Sequence, residues 1–212
     1  KIRLIESVRQ GVSKISKNIK IIGGDMSSTA ISSYFVDDFW QMPKTNKIDI
    51  EKFIAECKLK SIKVIIPTRD GELEFYSKNK EMFKNEGIYV MVSELSSINK
   101  CIDKLEFSEA YKLSVIPSSL SIDDINADLY VVKERFGAGS ASIGINLTYN
   151  NAIKHAKSLK HPIFQPFISG KELSVDAYID SKKNELLNHM KILIECKKKK
   201  LNKSFLKKKI KR

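Results

Sequence analysis

Short β-branched runs alternate with amphipathic segments along the first hundred residues of the chain. The runs at residues 19–22, 62–66 and 88–92 are predicted as strands, because each is short and rich in Ile or Val. Residues 45–60 and 71–86 are predicted as helices, since their apolar residues recur at intervals of three and four. This alternation is typical of βαβ units around a parallel sheet. The first half is therefore expected to be an α/β domain.

Polar residues follow two of these predicted strands. Gly24 and Asp25 come after the first, and Pro67-Thr68-Arg69-Asp70-Gly71 follows the second. In parallel sheets, functional groups collect at the carboxyl ends of the strands. Arg69 would suit an anionic substrate there, and a surface salt bridge explains it equally well. Ordinary turn chemistry accounts for Gly71.

The second half of the chain has a different pattern, in which strands are joined by small-residue turns. Strands are predicted at residues 129–133, 143–147, 163–167, 173–179 and 185–194, with one helix at residues 148–160. Strands that follow one another through short turns indicate hairpins and therefore an α+β sheet. A boundary between the two halves is expected near residues 94–100.

The loop after the first of these later strands is rich in glycine and serine. Gly137, Gly139 and Ser140 would let backbone N–H groups approach a polyphosphate closely. Lys133, at the end of the preceding strand, would add a fixed positive charge. The loop has no Gly-Lys-Ser/Thr segment of a P-loop, and a strand follows it where a dinucleotide fingerprint needs a helix. An ordinary hairpin turn would use similar residues, so both interpretations stay open on this pattern alone.

Residues 165–176 pass from one predicted strand through a Ser169-Gly170 turn into the next. An adenine ring needs backbone polar groups at a chain crossover and an apolar wall, and Phe167 and Ile168 could supply the wall and the backbone. Glu172, seven residues after Gln165, could accept hydrogen bonds from ribose hydroxyls. A plain β-hairpin is the alternative explanation.

Taken together, the order and spacing of these segments resemble the ATP-grasp superfamily. The likeness is to proteins similar to the large subunit of carbamoyl-phosphate synthase, and it covers residues 1 to about 187. It rests on the Asp103-Lys104 pair, on Lys133 with its glycine loop, and on residues 165–176. The resemblance implies a Rossmann-like, parallel-sheet preceding domain and then an incomplete α+β ATP-grasp domain. The expected boundaries are residues 1–96, 97–190 and, for a basic tail, 191–212.

The resemblance also implies a function and a site. Enzymes of this family activate a carboxylate as an acyl phosphate, which a nucleophile, often an amine, then attacks. By resemblance, the two lysines contact ATP phosphates, the loop closes over them, and the later segment binds adenine and ribose. The implied ATP-binding residues are Lys104, Lys133, Gly137, Gly139, Ser140, Gln165, Ile168 and Glu172. The resemblance leaves the catalytic residues, the small carboxylate substrate and the nucleophile unidentified.

The last part of the chain departs from the family's pattern. The family's Mg²⁺ ligands are late acidic residues and an Asn, whereas Glu195 is the only acidic residue after Glu185. Hard divalent cations need oxygen ligands, which a lysine tract does not supply. ATP and Mg²⁺ are thus the expected cofactors, with no magnesium ligands present in this chain. We therefore expect a truncated ligase, weakly active or inactive alone, whose missing parts a partner chain or a second copy could provide.

Charge suggests an alternative function. The chain carries a net charge of +13, of which +10 lies in residues 191–212, with eleven Lys or Arg and one acid. Such a run attracts phosphates without sequence preference. The alternative is therefore a noncatalytic interaction module whose Lys-rich tail binds nucleic acid or an acidic partner. Nucleic acid is the less favoured of the two, because only Phe205 could stack on bases within the tail.

Cysteine use and hydropathy narrow the setting. Cys57, Cys101 and Cys196 are odd in number and widely spaced, which favours a reducing, cytoplasmic compartment over a disulfide framework. No apolar run approaches the roughly 20 residues of a membrane-spanning helix, so no membrane contact is expected.

Overall fold

The computed structural model describes residues 2–137 and 142–170 and the backbone of two later strands. Contacts divide the chain into two compact units, Lys1–Pro166 and Phe167–Arg212. The α-helices are α1 Ile2–Ser13, α2 Ile50–Leu59, α3 Asp70–Lys78, α4 Lys80–Asn85, α5 Leu95–Ile102, α6 Lys104–Ala110 and α7 Tyr149–Ala156. The strands are β1 Ile22–Asp25, β2 Asp38–Gln41, β3 Val64–Ile65, β4 Tyr89–Val90, β5 Tyr130–Glu134, β6 Gly144–Leu147, β7 Pro162–Pro166, β8 Leu173–Ile179 and β9 Glu185–Ile192.

The first half contains parallel strand pairs. β1 pairs with β2, and β3 pairs with β4, both in parallel. Helices α2, α3 and α4 lie between these strands in the sequence, as βαβ connections require. The α/β class that the sequence predicts is confirmed.

The first strand lies three residues later than predicted. The sequence favoured residues 19–22, with Gly23 and Gly24 ending the strand, but both glycines belong to β1 and pair with Phe39 and Trp40. A Cβ at Gly24 would collide with the sulfur of Met42. The glycines are thus present because β2 and its continuation pack closely against β1, a tertiary requirement that local propensity hides.

Two predicted helices have different limits in the structure. The helix expected at residues 45–60 begins at Ile50, because Asp49 caps it and accepts from the N–H groups of Glu51 and Lys52. The helix expected at residues 71–86 is two helices, α3 and α4, which meet at Asn79. The Asn79 amide donates to the Phe75 carbonyl at 2.7 Å, and such side-chain bonds compete with the helical ladder.

The segment around the expected boundary is also helical. α5 occupies Leu95–Ile102, where the sequence analysis predicted no element. Its eight residues are few for recognition by periodicity. The domain boundaries at residues 96/97 and 190/191 stay predictions. β9 runs to Ile192, so the basic tail predicted from residue 191 overlaps the end of a strand. Residues 193–212 lie outside the described part of the chain.

An aromatic cluster forms the core of the first half. Phe53 of α2 stacks on Trp40 of β2, with ring centroids 4.8 Å apart. Tyr76 and Phe83 pack edge-on or tilted around the same ring and are nearly inaccessible to solvent. Cys57 lies in this cluster, and burial raises its pKa to about 11, so the thiol stays protonated at neutral pH. These contacts fix α2 and α3 against the parallel strands.

The second core lies under an antiparallel sheet in the order β6-β5-β7. Val132 of β5 and Phe164 of β7 are paired across the strands and pack with Ala152 and Ala156 of α7. Alternate residues of a strand point to opposite faces, so this pairing assigns one face of β5 and β7 to the core. In the second unit, β8 and β9 pair antiparallel, as a hairpin predicts.

Gly144 at the start of β6 is expected to tolerate no side chain. A Cβ there would lie 2.6 Å from Leu147 Cδ1 and 2.8 Å from His155 Cδ2. His155 is held in place by its ring contact, 2.9 Å, with the Ser142 carbonyl. Gly144→Ala should therefore lower the free energy of unfolding by about 1–3 kcal/mol, measured by urea unfolding.

Gly71 in the first turn of α3 is the matched control for this prediction. A Cβ at Gly71 meets nothing within 4 Å. Gly71→Ala should raise the free energy of unfolding by up to about 1 kcal/mol, because alanine loses less entropy in a helix. Equal effects of the two substitutions would show that the close packing at Gly144 is not important for stability.

Candidate nucleotide-binding site

The face of the β5–β7 sheet opposite the second core carries two of the predicted site residues. Lys133 is paired with Ile163, and Gln165 is paired with Val131. Paired residues of an antiparallel ladder share a face, so Lys133 and Gln165 lie on the same side of the sheet. The Gln165 amide donates to Ser118 Oγ at 2.7 Å, which fixes its orientation.

Lys133 is a partly buried cation. Burial lowers its pKa below the ordinary value of 10.5, and the nearby Lys104 ammonium lowers it further. A lysine in such surroundings lacks part of the hydration that stabilises its charged form. An anion that approached this face would restore to the Lys133 ammonium the electrostatic stabilisation that it loses with its water.

Lys104 reaches the same place from the start of α6. Its Nζ donates to the carbonyl oxygens of Gly137, at 2.8 Å, and Arg135, at 3.2 Å. Burial lowers the pKa of Lys104, whereas Asp103, Glu134 and Asp70 act in the opposite direction. The structure thus brings Lys104 to Lys133 and Gly137, which lie about 30 residues later in the sequence.

The start of α6 is fixed by Asp103. Its carboxylate accepts from the backbone N–H groups of Leu105 and Glu106, so Asp103 is the N-cap of this helix. It also accepts two hydrogen bonds from the Arg135 guanidinium, at 2.8 and 2.5 Å, which hold its pKa below 3.8. No role for Arg135 is predicted from the sequence, although this residue lies between Lys133 and the glycine loop.

Glu134 provides a second link at the end of β5. Its carboxylate accepts from the backbone N–H groups of Lys160 and His161, at 2.6 and 2.9 Å. These bonds join the end of β5 to the segment that enters β7. The end of the strand that carries Lys133 is therefore held by Glu134 on one side and by the contact of Arg135 with Asp103 on the other.

The structure describes only some of the other predicted site residues. Gly137 has a φ of +101°, which favours glycine at the first turn of the loop. Gly139, Ser140 and Glu172 lie outside the described residues. Ile168 is 61% exposed and belongs to the second unit. The assignment of all eight residues to an ATP site stays a prediction.

The first half contributes Asp70 to the surroundings of Lys104. Asp70 is the first residue of α3, and its charge raises the pKa of Lys104. Glu72 accepts from the backbone N–H groups of Thr68 and Arg69, at 2.7 and 3.1 Å, and thereby caps the same helix. The predicted segment 67–71 thus combines helix capping with a carboxylate that lies electrostatically close to the lysine pair.

Among the described residues, no group of three or more His, Cys, Asp and Glu side chains could hold a metal ion. The expected absence of magnesium ligands from the whole chain stays a prediction. None of the helices described here is long and apolar enough to cross a membrane.

Comparison with protein families identifies the fold. The family described as ATP-grasp domain matches residues 101–208, more than half of the chain. The chain belongs to the ATP-grasp family. A second family, described as PylC-like, N-terminal domain, matches residues 1–91 of this ATP-grasp protein. A search of curated proteins gives no match.

Solved structures agree with this ATP-grasp assignment. N5-carboxyaminoimidazole ribonucleotide synthetase from Thermotoga maritima is similar with a TM-score of 0.62 and 16% identity, over 88% of this chain and 50% of that one. N5-carboxyaminoimidazole synthetase from Staphylococcus aureus, complexed with ADP, gives 0.61 and 17%, over 88% and 51%.

A carboxylase has a similar fold. The biotin carboxylase domain of Hydrogenobacter thermophilus 2-oxoglutarate carboxylase, in complex with MgADP, ADP and bicarbonate, gives a TM-score of 0.59 and 17% identity, over 86% of this chain and 46% of that one. The ATP-grasp chain described here thus spans about half the length of these proteins. At such identities the likeness shows the fold alone.

Proposed function

We propose that the chain is the nucleotide-binding part of an ATP-dependent carboxylate–amine ligase that works through an acyl phosphate. The observation that carries the proposal is the convergence of Lys104 and Lys133, both partly buried, beside the turn at Gly137. Two cations with a lowered pKa at the mouth of a glycine-rich loop suit a polyphosphate.

The two lysines would act on the phosphates of ATP. A transferring phosphoryl group spreads negative charge over its oxygens, and fixed cations stabilise that charge. Lys133 is held by a central strand, and Lys104 by a capped helix start. Because neither cation needs to be moved into place from solvent, the site is preorganised for the charge that develops. Gln165, on the same sheet face as Lys133, is proposed to lie beside the adenine.

Mg²⁺ belongs to the proposed reaction as the family's usual cofactor. When bound, it would neutralise phosphate oxygens next to the lysines. The described residues fit the phosphates, since they offer cations and a glycine turn, but they bring together no set of oxygen ligands for the metal. We therefore assign Mg²⁺ to the reaction but to no residue of this chain.

The substrate is proposed by chemical class. The Hydrogenobacter structure holds bicarbonate with MgADP. A small carboxylate, with bicarbonate included, is thus the proposed acceptor of the phosphoryl group, and an amine is the proposed nucleophile. The likeness to carbamoyl-phosphate synthase is a finer prediction within this class. A second subunit and a cytoplasmic location are separate predictions.

Nucleotide binding is tested by thermal unfolding of the full chain with ATP, with and without Mg²⁺. ATP at about 100 times its dissociation constant should add about 2.7 kcal/mol to the free energy of unfolding. Tripolyphosphate is the control ligand, because it matches the phosphates and lacks the adenosine. A larger and saturable shift with ATP supports the site.

The same titration separates the proposal from the basic-tail alternative. Binding by the Lys-rich tail should fall steeply between about 50 and 200 mM salt and should not distinguish ATP from tripolyphosphate. Equal shifts with the two ligands, both lost at the higher salt, would contradict the proposed nucleotide site. No shift with ATP at either salt concentration would contradict it as well.

A further inference from the structure

The junction between α6 and the end of β5 is built around one ion pair. Asp103 is only 9% exposed and accepts both Arg135 hydrogen bonds and two backbone hydrogen bonds. Arg135 also bonds the segment that enters β7, because its backbone N–H donates to the His161 carbonyl at 2.8 Å. A paired fork of this kind restricts both side chains to a single geometry.

Lys104 bonds this junction through its backbone and through the end of its side chain. Its backbone N–H donates to the Arg135 carbonyl at 3.3 Å, and its Nζ donates to the same oxygen at 3.2 Å. A third bond runs from Nζ to the Gly137 carbonyl. The side chain therefore folds back over the end of β5 and meets the first turn of the glycine loop.

The position of the Lys104 ammonium needs an explanation, because it lies near a second positive charge, the Lys133 ammonium. Lys104 lies close enough to Lys133 to lower its pKa, so the two ammonium groups oppose each other when no anion is present. A free lysine side chain has several rotatable bonds and would gain entropy by turning to solvent. The two carbonyl dipoles and the Asp103 charge counter both effects.

We propose that Asp103 and Arg135 are positioning residues that hold the Lys104 ammonium at the glycine turn, where it exchanges the Arg135 and Gly137 carbonyls for phosphate oxygens when nucleotide binds. The inference rests on the proposed function and assigns that site its positioning pair. The ion pair stays in place during the exchange, so Lys104 moves only at the end of its side chain. The competing explanation is that the Asp103–Arg135 ion pair only holds α6 against the end of β5 and has no effect on nucleotide binding.

A double-mutant cycle on ATP affinity distinguishes the two explanations. Lys104→Met in the full chain should weaken ATP binding by about 10- to 100-fold, because a charged hydrogen bond is lost. In an Arg135→Gln background, the same substitution should weaken it by only about two- to threefold, since Lys104 is already out of place. Calorimetric titration with ATP provides the affinities.

Arg9 offers a matched control. Its guanidinium also makes a paired contact with one carboxylate, Asp37, at 2.8 and 3.0 Å. The further hydrogen bonds of this pair are to the backbone of Phe35 and Ile21, in a different part of the chain from Lys104 and Lys133. Lys104→Met should therefore retain its full effect on ATP affinity in an Arg9→Gln background. If Arg135→Gln does not fold, Asp103→Asn takes its place, because Asn still caps the helix but loses the charge.

The outcomes separate this inference from the proposed function. If Lys104→Met weakens ATP binding equally in the parent and in the Arg135→Gln protein, the positioning role is overturned while the nucleotide site stands. If neither Lys104→Met nor Lys133→Met changes ATP affinity, the proposed function fails and the positioning role fails with it.

Discussion

Lys133→Met is expected to remove most of the stabilisation by ATP without lowering the stability of the nucleotide-free protein. The ammonium gives phosphates a charged partner, and its loss should cost about 1.5–3 kcal/mol of binding free energy. Burial lowers the pKa of Lys133, so the charged form is disfavoured in the fold. Methionine has a similar length and no charge to desolvate, and the melting temperature without ATP should stay equal or rise.

The pH dependence of stability provides an independent check on Lys133. Its folded pKa lies below 10.5, so the unfolded chain binds more protons between these two values. The free energy of unfolding should therefore rise with pH in that window, and this contribution should vanish in Lys133→Met. Urea unfolding of both proteins, at neutral pH and at about pH 10, measures the difference.

Lys154→Met is the control for both experiments. Lys154 is an exposed residue of α7, the helix on the opposite side of the sheet from Lys133. Its replacement should change neither the ATP shift nor the alkaline rise in stability. A Lys133→Met protein that binds ATP as tightly as the parent would contradict the assignment of Lys133 to the site.

Phe53→Ala is expected to cause the largest loss of stability in the first half of the chain. Phe53 is 5% exposed and contacts Trp40 and three further aromatic rings within 6.4 Å. Truncation of a buried phenylalanine removes its burial and leaves a cavity, at a cost of about 3–5 kcal/mol. The midpoint of urea unfolding should fall accordingly.

Leu59→Ala on the same helix is the matched control for Phe53→Ala. Leu59 is 79% exposed, so its replacement should change stability by less than about 0.5 kcal/mol. Similar losses from the two substitutions would mean that the aromatic cluster is not the core of this half. A loss confined to Phe53→Ala would assign the stability of the parallel strands to the packing of α2.

Much of the second half could be predicted from local pattern. The strand predicted at residues 173–179 coincides with β8. The strand predicted at 143–147 begins one residue before β6, and that at 129–133 is shifted by one residue from β5 at both ends. Such agreement has a simple cause, because β-branched runs between Gly, Pro and Ser turns carry their signal locally. The candidate residues Lys133 and Gly137 had a local signal too, in a strand followed by a glycine-rich turn, whereas Lys104 was indicated only by the resemblance to the ATP-grasp superfamily.

Other features had no local signal. β1 contains two glycines, and β2 has only two aromatic residues between Asp38 and Gln41, so neither strand contains the β-branched run on which the strand predictions were based. Their pairing is accompanied by the close approach of Met42, the residue after β2, to Gly24 and by the stacking of Phe53, in α2, on Trp40. The break at Asn79 is equally hidden, because an asparagine inside a periodic segment does not by itself end a helix.

The sequence by itself determined the alternation of elements, the α/β class and the candidate phosphate loop, because periodicity and turn chemistry act over a few residues. Only the tertiary structure decided that Arg135 and Asp103 pair, 32 positions apart, and that Lys104 turns back to Gly137. Hydrogen bonds between distant segments follow from the packing of α6 against the end of β5. This packing partly buries Lys104 and Lys133 and holds the two cations close to each other, an arrangement that acts across more than 20 residues of sequence.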